Sequence, residues 1–168
     1  NSSRLPNNIT YTGILDGNNK MLDLSELALY DSKTKETTNI IARGYFLYDT
    51  SFATIKNLQV KGLQIKSNAS YLGFIRRAID SVIENIDVSG IGENPNNILL
   101  TGTRDTMYVG GIVAYIDHTE INDVSINNLE IKKAEEYNET IKNNYIGGIV
   151  GYAGNSKLQN SYVYDFNV

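Results

Sequence analysis

The sequence predicts an all-β protein, a right-handed parallel β-helix (solenoid) of about four to five coils with loop insertions. Three observations carry this prediction. Tyr145-Ile146-Gly147-Gly148-Ile149-Val150-Gly151-Tyr152 restates Tyr108-Val109-Gly110-Gly111-Ile112-Val113-Ala114-Tyr115 at a distance of 37 residues (145 − 108). Self-similarity at such intervals marks stacked repeats. Four stretches also superpose column by column when anchored on Ile55, Ile83, Ile121 and Leu158. Finally, two of those columns hold only residues suited to a bend.

In the first bend column stand Asn57, Asn85, Asp123 and Asn160, whose side chains can bond backbone groups exposed at a corner. In the second stand Gly62, Gly90, Asn128 and Asp165, the residue types that best tolerate a left-handed backbone. Between the bends run short apolar columns: Leu58, Ile86 and Val124, with Ser161 as the exception; Val60, Val88, Ile126 and Val163; Leu63, Ile91, Leu129 and Phe166. These offsets do not fit a helical period, but they fit short strands whose inward alternation is reset at each bend. The competing β-sandwich of short antiparallel strands has no need to repeat its corners.

Taken in order, residues 1–43 form an irregular N-terminal coil or cap. Within it, Thr12-Gly13-Ile14-Leu15 reads as a short strand and Asp16-Gly17-Asn18-Asn19 as a turn. Met21, Leu22 and Leu24 open another apolar segment, and the stretch after it fits a helical turn or a strand equally. Residues 31–38 are polar and read as a loop. Residues 44–168 are the repeat array, with Gly44-Tyr45-Phe46-Leu47-Tyr48 and Tyr71-Leu72-Gly73-Phe74-Ile75 as weaker copies of the opening motif. Anchor spacings of 28 (83 − 55), 38 (121 − 83) and 37 (158 − 121) leave a surplus in residues 93–107 and 132–144. Both surpluses are polar and are expected to leave the solenoid as surface loops.

Composition narrows the function. A net charge of −4 and a pI near 5.0 argue against a nucleic-acid partner, which would need a clustered basic face. The absence of cysteine removes disulfides, thiolate metal sites and cysteine nucleophiles. No apolar run approaches the ~18 residues of a membrane helix, and no signal peptide is visible. The chain opens on Asn1-Ser2-Ser3 and stops at Val168 inside a strand pattern, so it reads as a piece of a longer protein.

The repeats resemble the GLUG repeat of large exported bacterial proteins, named for Gly-Leu-any-Gly. Gly148-Ile149-Val150-Gly151 matches with Ile for Leu, Gly111-Ile112-Val113-Ala114 ends in Ala, and Gly73-Phe74-Ile75-Arg76 and Gly44-Tyr45-Phe46-Leu47 keep the first glycine. Thr12-Gly13-Ile14-Leu15-Asp16-Gly17-Asn18 is similar to the opening that precedes such arrays. Ala53-Thr54-Ile55-Lys56-Asn57-Leu58 looks like a segment of the β-helical region upstream of the catalytic domain in immunoglobulin A protease-type zinc metallopeptidases of Gram-positive bacteria. Surface adhesins carry similar arrays.

That resemblance implies zinc in the parent's catalytic domain and no cofactor in this segment. Zinc proteolysis needs two histidines four apart with a glutamate between them, and this chain has only His118, read as a corner residue. Asp80 and Asp117 flank corners, while Glu84 and Asp87 lie in outward columns, Glu84 beside Lys56 as an exposed ion pair. Ser161 lacks a base and reads as a hydroxyl satisfied by backbone. The triplets at Asn8, Asn68 and Asn138 fit the glycosylation pattern but mean little in an Asn-rich chain.

Tyr71, Tyr108 and Tyr145 form one tyrosine column, and Tyr48, Tyr115 and Tyr152 a second. Their structural reading is stacking on successive coils with hydroxyls reaching water; their functional reading is an aromatic stripe for sugar or protein. The expected role is a non-catalytic module of an exported cell-surface zinc metallopeptidase, positioning or binding protein substrate. The alternative is an adhesin segment that binds host protein or glycan; a carbohydrate-active β-helix enzyme is a third reading. The resemblance makes immunoglobulin the host protein in view, the rest of the parent chain a further partner, and an extracellular or cell wall-anchored bacterial location the setting. Candidate contact residues are Tyr162, Tyr164, Asn96, Arg104, Glu136 and Tyr137.

Overall fold

The computed structural model describes residues 8–27, 29–30, 37–102, 105–135 and 143–168. These residues are almost entirely strand, wound as a parallel β-solenoid of about four turns. The first rung is β1 (Thr10–Asp23), followed by a 3-10 turn (Leu24–Glu26) and a small antiparallel pair, β2 (Leu29–Tyr30) with β3 (Thr37–Thr38). The second holds β4 (Tyr45–Lys61) and β5 (Gln64–Ser67), and the third β6 (Tyr71–Ile79), β7 (Val82–Ser89) and β8 (Asn96–Leu100). The fourth holds β9 (Thr106–Gly110), β10 (Val113–Asp117) and β11 (Glu120–Lys133). The last holds β12 (Asn143–Gly147), β13 (Val150–Gly154), β14 (Lys157–Gln159) and β15 (Tyr162–Asn167).

Strands of neighbouring rungs pair in parallel and in register, which is why equivalent residues stack. Leu15, Ile55, Ile83, Ile121 and Leu158 lie one on the next. The inner three are fully buried, as the apolar anchor column requires. Val60, Val88 and Ile126 form a second buried stack, and Val163 continues it on the last rung. β1, in the stretch expected to be an irregular coil or cap, pairs with β4 along its length, broken by a bulge at Asp16/Lys20 where Asn18 and Asn19 take positive φ.

The bends are left-handed single residues. Asn57, Asn85, Asp123 and Asn160 have φ of 54°, 51°, 51° and 49°. Asn85 Nδ2 donates to Asn57 Oδ1 at 2.7 Å, so the corner column is also a side-chain ladder. A second corner is made by Phe52, Asp80, His118 and Asn155, with φ between 44° and 51°. One residue beyond it, a strand-to-strand backbone bond is replaced by a hydroxyl from the next rung. Ala53 N donates to Ser81 Oγ (3.3 Å), Ser81 N to Thr119 Oγ1 (3.3 Å), and Thr119 N to Ser156 Oγ (3.0 Å).

The third corner corrects two expectations. Gly62, Asn128 and Asp165 have φ of 72°, 55° and 50°, but Gly90 is not among the positive-φ residues. Gly90 is required for space, since a Cβ there would stand 2.5 Å from Asn94 O. Residues 90–95 form a tight excursion closed by Ile91 and Asn94, whose N–H and C=O groups bond each other. After it the column expected to hold Ile91 is occupied by Asn96, which pairs with Leu129. The surplus expected as one loop over 93–107 is therefore partly the buried strand β8. In the second surplus, residues 136–142 lie outside the described residues.

Candidate functional site

Tyrosines gather on one face because tight Gly-Gly turns let β9 and β10, and then β12 and β13, fold closely over each other. A Cβ at Gly110 would sit 2.1 Å from Val113 O, and one at Gly147 would sit 2.1 Å from Val150 O, so no larger residue fits. Register then places Tyr71, Tyr108 and Tyr145 in one column. Their rings stack at 5.0 and 5.2 Å with interplanar angles of 20° and 9°. Tyr115 and Tyr152 stack in a second column at 5.1 Å and 13°. The columns meet edge to face, Tyr108 against Tyr115 at 5.4 Å and Tyr145 against Tyr152 at 5.4 Å.

The second column does not continue to Tyr48 as the sequence suggested. Tyr115 pairs with Arg77, and Arg77 with Asp49, so Tyr48 falls one residue out of line. This offset introduces charge at the start of the ladder. Asp49 is 6% exposed and accepts from Arg76 Nη1 at 2.7 and 2.9 Å, and from Arg77 Nε and Nη2 at 3.1 and 2.5 Å. Arg76 lies 4.6 Å above the centroid of Tyr48 and 4.6 Å above that of Tyr71. Arg43 stands 4.9 Å over Tyr45, with Nε bonded to Tyr45 O and a terminal nitrogen to Phe46 O. Cations over ring faces gain from the aromatic quadrupole.

Electrostatics follow from this packing. The Asp49 hydrogen bonds hold the Arg77 pKa above its usual value, outweighing burial. Burial, then the surrounding phenols, raise the Tyr108 pKa; burial, then Asp117, raise that of Tyr115. These hydroxyls therefore stay protonated at neutral pH and can donate. The face is a row of phenol edges ending in a cationic pole, with Tyr145 and Tyr152 at its open end, 39% and 37% exposed.

The other sequence candidates lie elsewhere. Tyr162 and Tyr164 are more than half exposed on β15, their rings 6.2 Å apart, on the sheet formed with β11 and separate from the ladder. Asn96 is fully buried, its amide bonded to Leu63 N (3.0 Å) and Asn127 O (2.9 Å), so it braces a corner and offers no ligand a contact. Arg104, Glu136 and Tyr137 lie outside the described residues. Ser161 Oγ donates to Gln159 O at 2.9 Å, as expected of a backbone-satisfied hydroxyl. His118 occupies a corner with Nδ1 3.2 Å from Asp117 Oδ1. Lys56 is level with Glu84, but its ion pair is with Asp16 at 3.9 Å. Sequence reasoning missed Asp49, Arg76 and Arg77; the signal was Arg76-Arg77 standing where the later repeats carry Ala114-Tyr115 and Gly151-Tyr152.

An apolar cleft of about 420 Å³ lies under β1, lined by Leu15, Leu22, Phe46, Leu58 and Phe74 among others. Among the described residues no group of three or more His, Cys, Asp or Glu is placed to hold a metal ion, and no helix is long and apolar enough to cross a membrane.

Fold and face together define a repeat-built parallel β-solenoid with a tyrosine ladder along one side. Residues 142–165 match the GLUG motif, so the ladder's last rung lies in a GLUG-repeat region. No curated protein and no solved structure is significantly similar to the chain.

Proposed function

We propose that this chain is a recognition module that does no chemistry itself, a rigid solenoid that holds a host ligand against its tyrosine and arginine face. The observation that carries this reading is the double tyrosine ladder. Tyrosine supplies large contact area at low entropic cost and is enriched in binding surfaces, and here its columns are locked by a hydrogen-bonded scaffold. The resemblance to immunoglobulin A protease-type arrays supports placement in an exported, cell-surface zinc metallopeptidase of a Gram-positive bacterium, with zinc in the catalytic domain. The module then positions protein substrate, an immunoglobulin by that resemblance. A second reading, an adhesin segment that binds host protein or glycan, is favoured by the cationic pole beside the phenols. In the parent protein, Tyr145→Ala with Tyr152→Ala should raise KM for immunoglobulin cleavage at unchanged kcat, the mark of lost ground-state binding. Unchanged KM removes the face from substrate capture.

A further inference from the structure

We propose that the tyrosine and arginine face is a track for a carboxylated glycan, lying along the solenoid axis with a carboxylate at Arg76 and Arg77 and sugar hydroxyls against the phenol edges. This rests on the reading that the ladder face binds ligand, and it names the ligand class.

Charge is the first argument. The chain carries a net −4, yet at the head of the ladder Arg76 and Arg77 share one carboxylate, Asp49, while Arg43 lies over the Tyr45 ring that Arg76 also approaches. Asp49 occupies Nη1 of Arg76 and both Nε and Nη2 of Arg77. Nε and Nη2 of Arg76 and Nη1 of Arg77 have no hydrogen-bond partner among the described residues, and the Arg77 side chain is 38% exposed. Guanidinium groups with spare donors favour planar carboxylates. Asp117, the acid beside Tyr115, is turned to its own corner, where Oδ1 accepts from Asn155 Nδ2 at 3.2 Å.

The second argument is ring orientation. Offset stacking along both columns and edge-to-face contact between them leave the inner rings less open face than the end pair, Tyr145 and Tyr152, which are 39% and 37% exposed. The remaining rings offer edges and hydroxyls, and no hydroxyl of Tyr71, Tyr108, Tyr115, Tyr145 or Tyr152 bonds a described residue. Recognition here runs through hydrogen bonds and charge.

The third argument is spacing, which selects a glycan over an acidic peptide. The phenols repeat every 5.0–5.2 Å. An extended peptide along the same axis presents side chains to one face every ~6.7 Å and falls out of register within two rungs. Rungs lie about 4.8 Å apart, a step that pyranose rings linked head to tail can match, so that successive sugars meet successive phenols.

The test titrates the folded chain with a short uronate oligosaccharide, the same oligosaccharide with its carboxyls reduced to alcohols, and poly-glutamate. The uronate should bind about tenfold or more tighter than the other two. Arg77→Gln should lose about tenfold, while Tyr162→Ala with Tyr164→Ala changes nothing. Should Arg77→Gln lower the melting temperature sharply, Tyr108→Phe with Tyr115→Phe, which keeps the rings and removes the hydroxyls, serves as the variant and should weaken binding severalfold. Equal binding of the reduced oligosaccharide or of poly-glutamate, or full affinity in the variants, overturns the proposal. A second arm compares immunoglobulin before and after removal of its acidic sugars; loss of capture identifies protein-borne glycan as the source, and free uronate binding with no such loss identifies polysaccharide. Immunoglobulin capture that depends on Tyr145 and Tyr152 without any uronate binding overturns the glycan but keeps the recognition module, and absence of both ends both.

Discussion

Replacing Thr119 with Val isolates the hydroxyl ladder that joins rungs at the Phe52/Asp80/His118/Asn155 corner. Thr119 is 2% exposed, and its Oγ1 accepts from Ser81 N at 3.3 Å while lying 3.0 Å from both Ala78 O and Asp117 O, to which it can donate. Valine keeps the shape and removes both functions. The Ser81 N–H is then buried without a partner, a cost of about 1–3 kcal/mol, and the lost donated bond adds roughly 1 kcal/mol. A total of about 2–4 kcal/mol corresponds to a fall in Tm of about 4–16 °C for a domain of this size. Thermal melting followed by circular dichroism reads this directly. Ser156→Ala removes the equivalent hydroxyl on the last rung, which is only partly buried, so water can replace it and the fall should be less than half as large. A Thr119→Val melt within about 1 °C of the parent, or no different from Ser156→Ala, refutes the view that hydroxyls substitute for backbone bonds at this corner.

Gly62→Val should destabilise by more than ~1 kcal/mol, because φ is 72° and the new Cβ would meet Ile91 Cδ1 at 2.6 Å; an unchanged urea midpoint contradicts this. Phe52→Asn should instead raise Tm by about 2–4 °C, since Phe52 holds φ 51° while 75% exposed and Asn tolerates that backbone better, as Asn155 does at the last position of the same corner. Asp49→Asn should cost about 3 kcal/mol or more in chemical denaturation, because two guanidiniums lose a nearly buried counter-charge. Tyr108 and Tyr115 have folded pKa values raised above the usual tyrosine value of about 10, so the stability tied to their neutral form is intact below that pH and is lost as pH climbs through the raised values. Phenolate absorbance should accordingly appear at higher pH in the native protein than in the same chain unfolded in urea.

The corners were legible in the sequence because a left-handed backbone admits few residue types. Asn57, Asn85, Asp123 and Asn160 announce that constraint at each turn, and the apolar anchors between them must face inward once the corners are fixed. Gly90 misled because glycine answers two needs, positive φ and tight space, and here only the second applies. Asn96 was obscured by a polar residue standing in an apolar column, where its amide replaces a broken ladder bond between Leu63 and Asn127. Tyr48 was aligned one residue out, since a single-residue slip leaves the spacing of neighbouring apolar residues almost unaltered. The Asp49–Arg76–Arg77 cluster joins positions 27 and 28 residues apart, a relation that appears only once the rungs are placed in register.

Hydrogen exchange of the chain with and without saturating immunoglobulin, and with and without uronate oligosaccharide, tests most directly whether the ladder is the binding face. Protection should appear in β6, β9, β10, β12 and β13, which carry the stacked tyrosines and Arg77, with β15 unchanged. Protection confined to β15, or no protection from either ligand at saturating concentration, would contradict it.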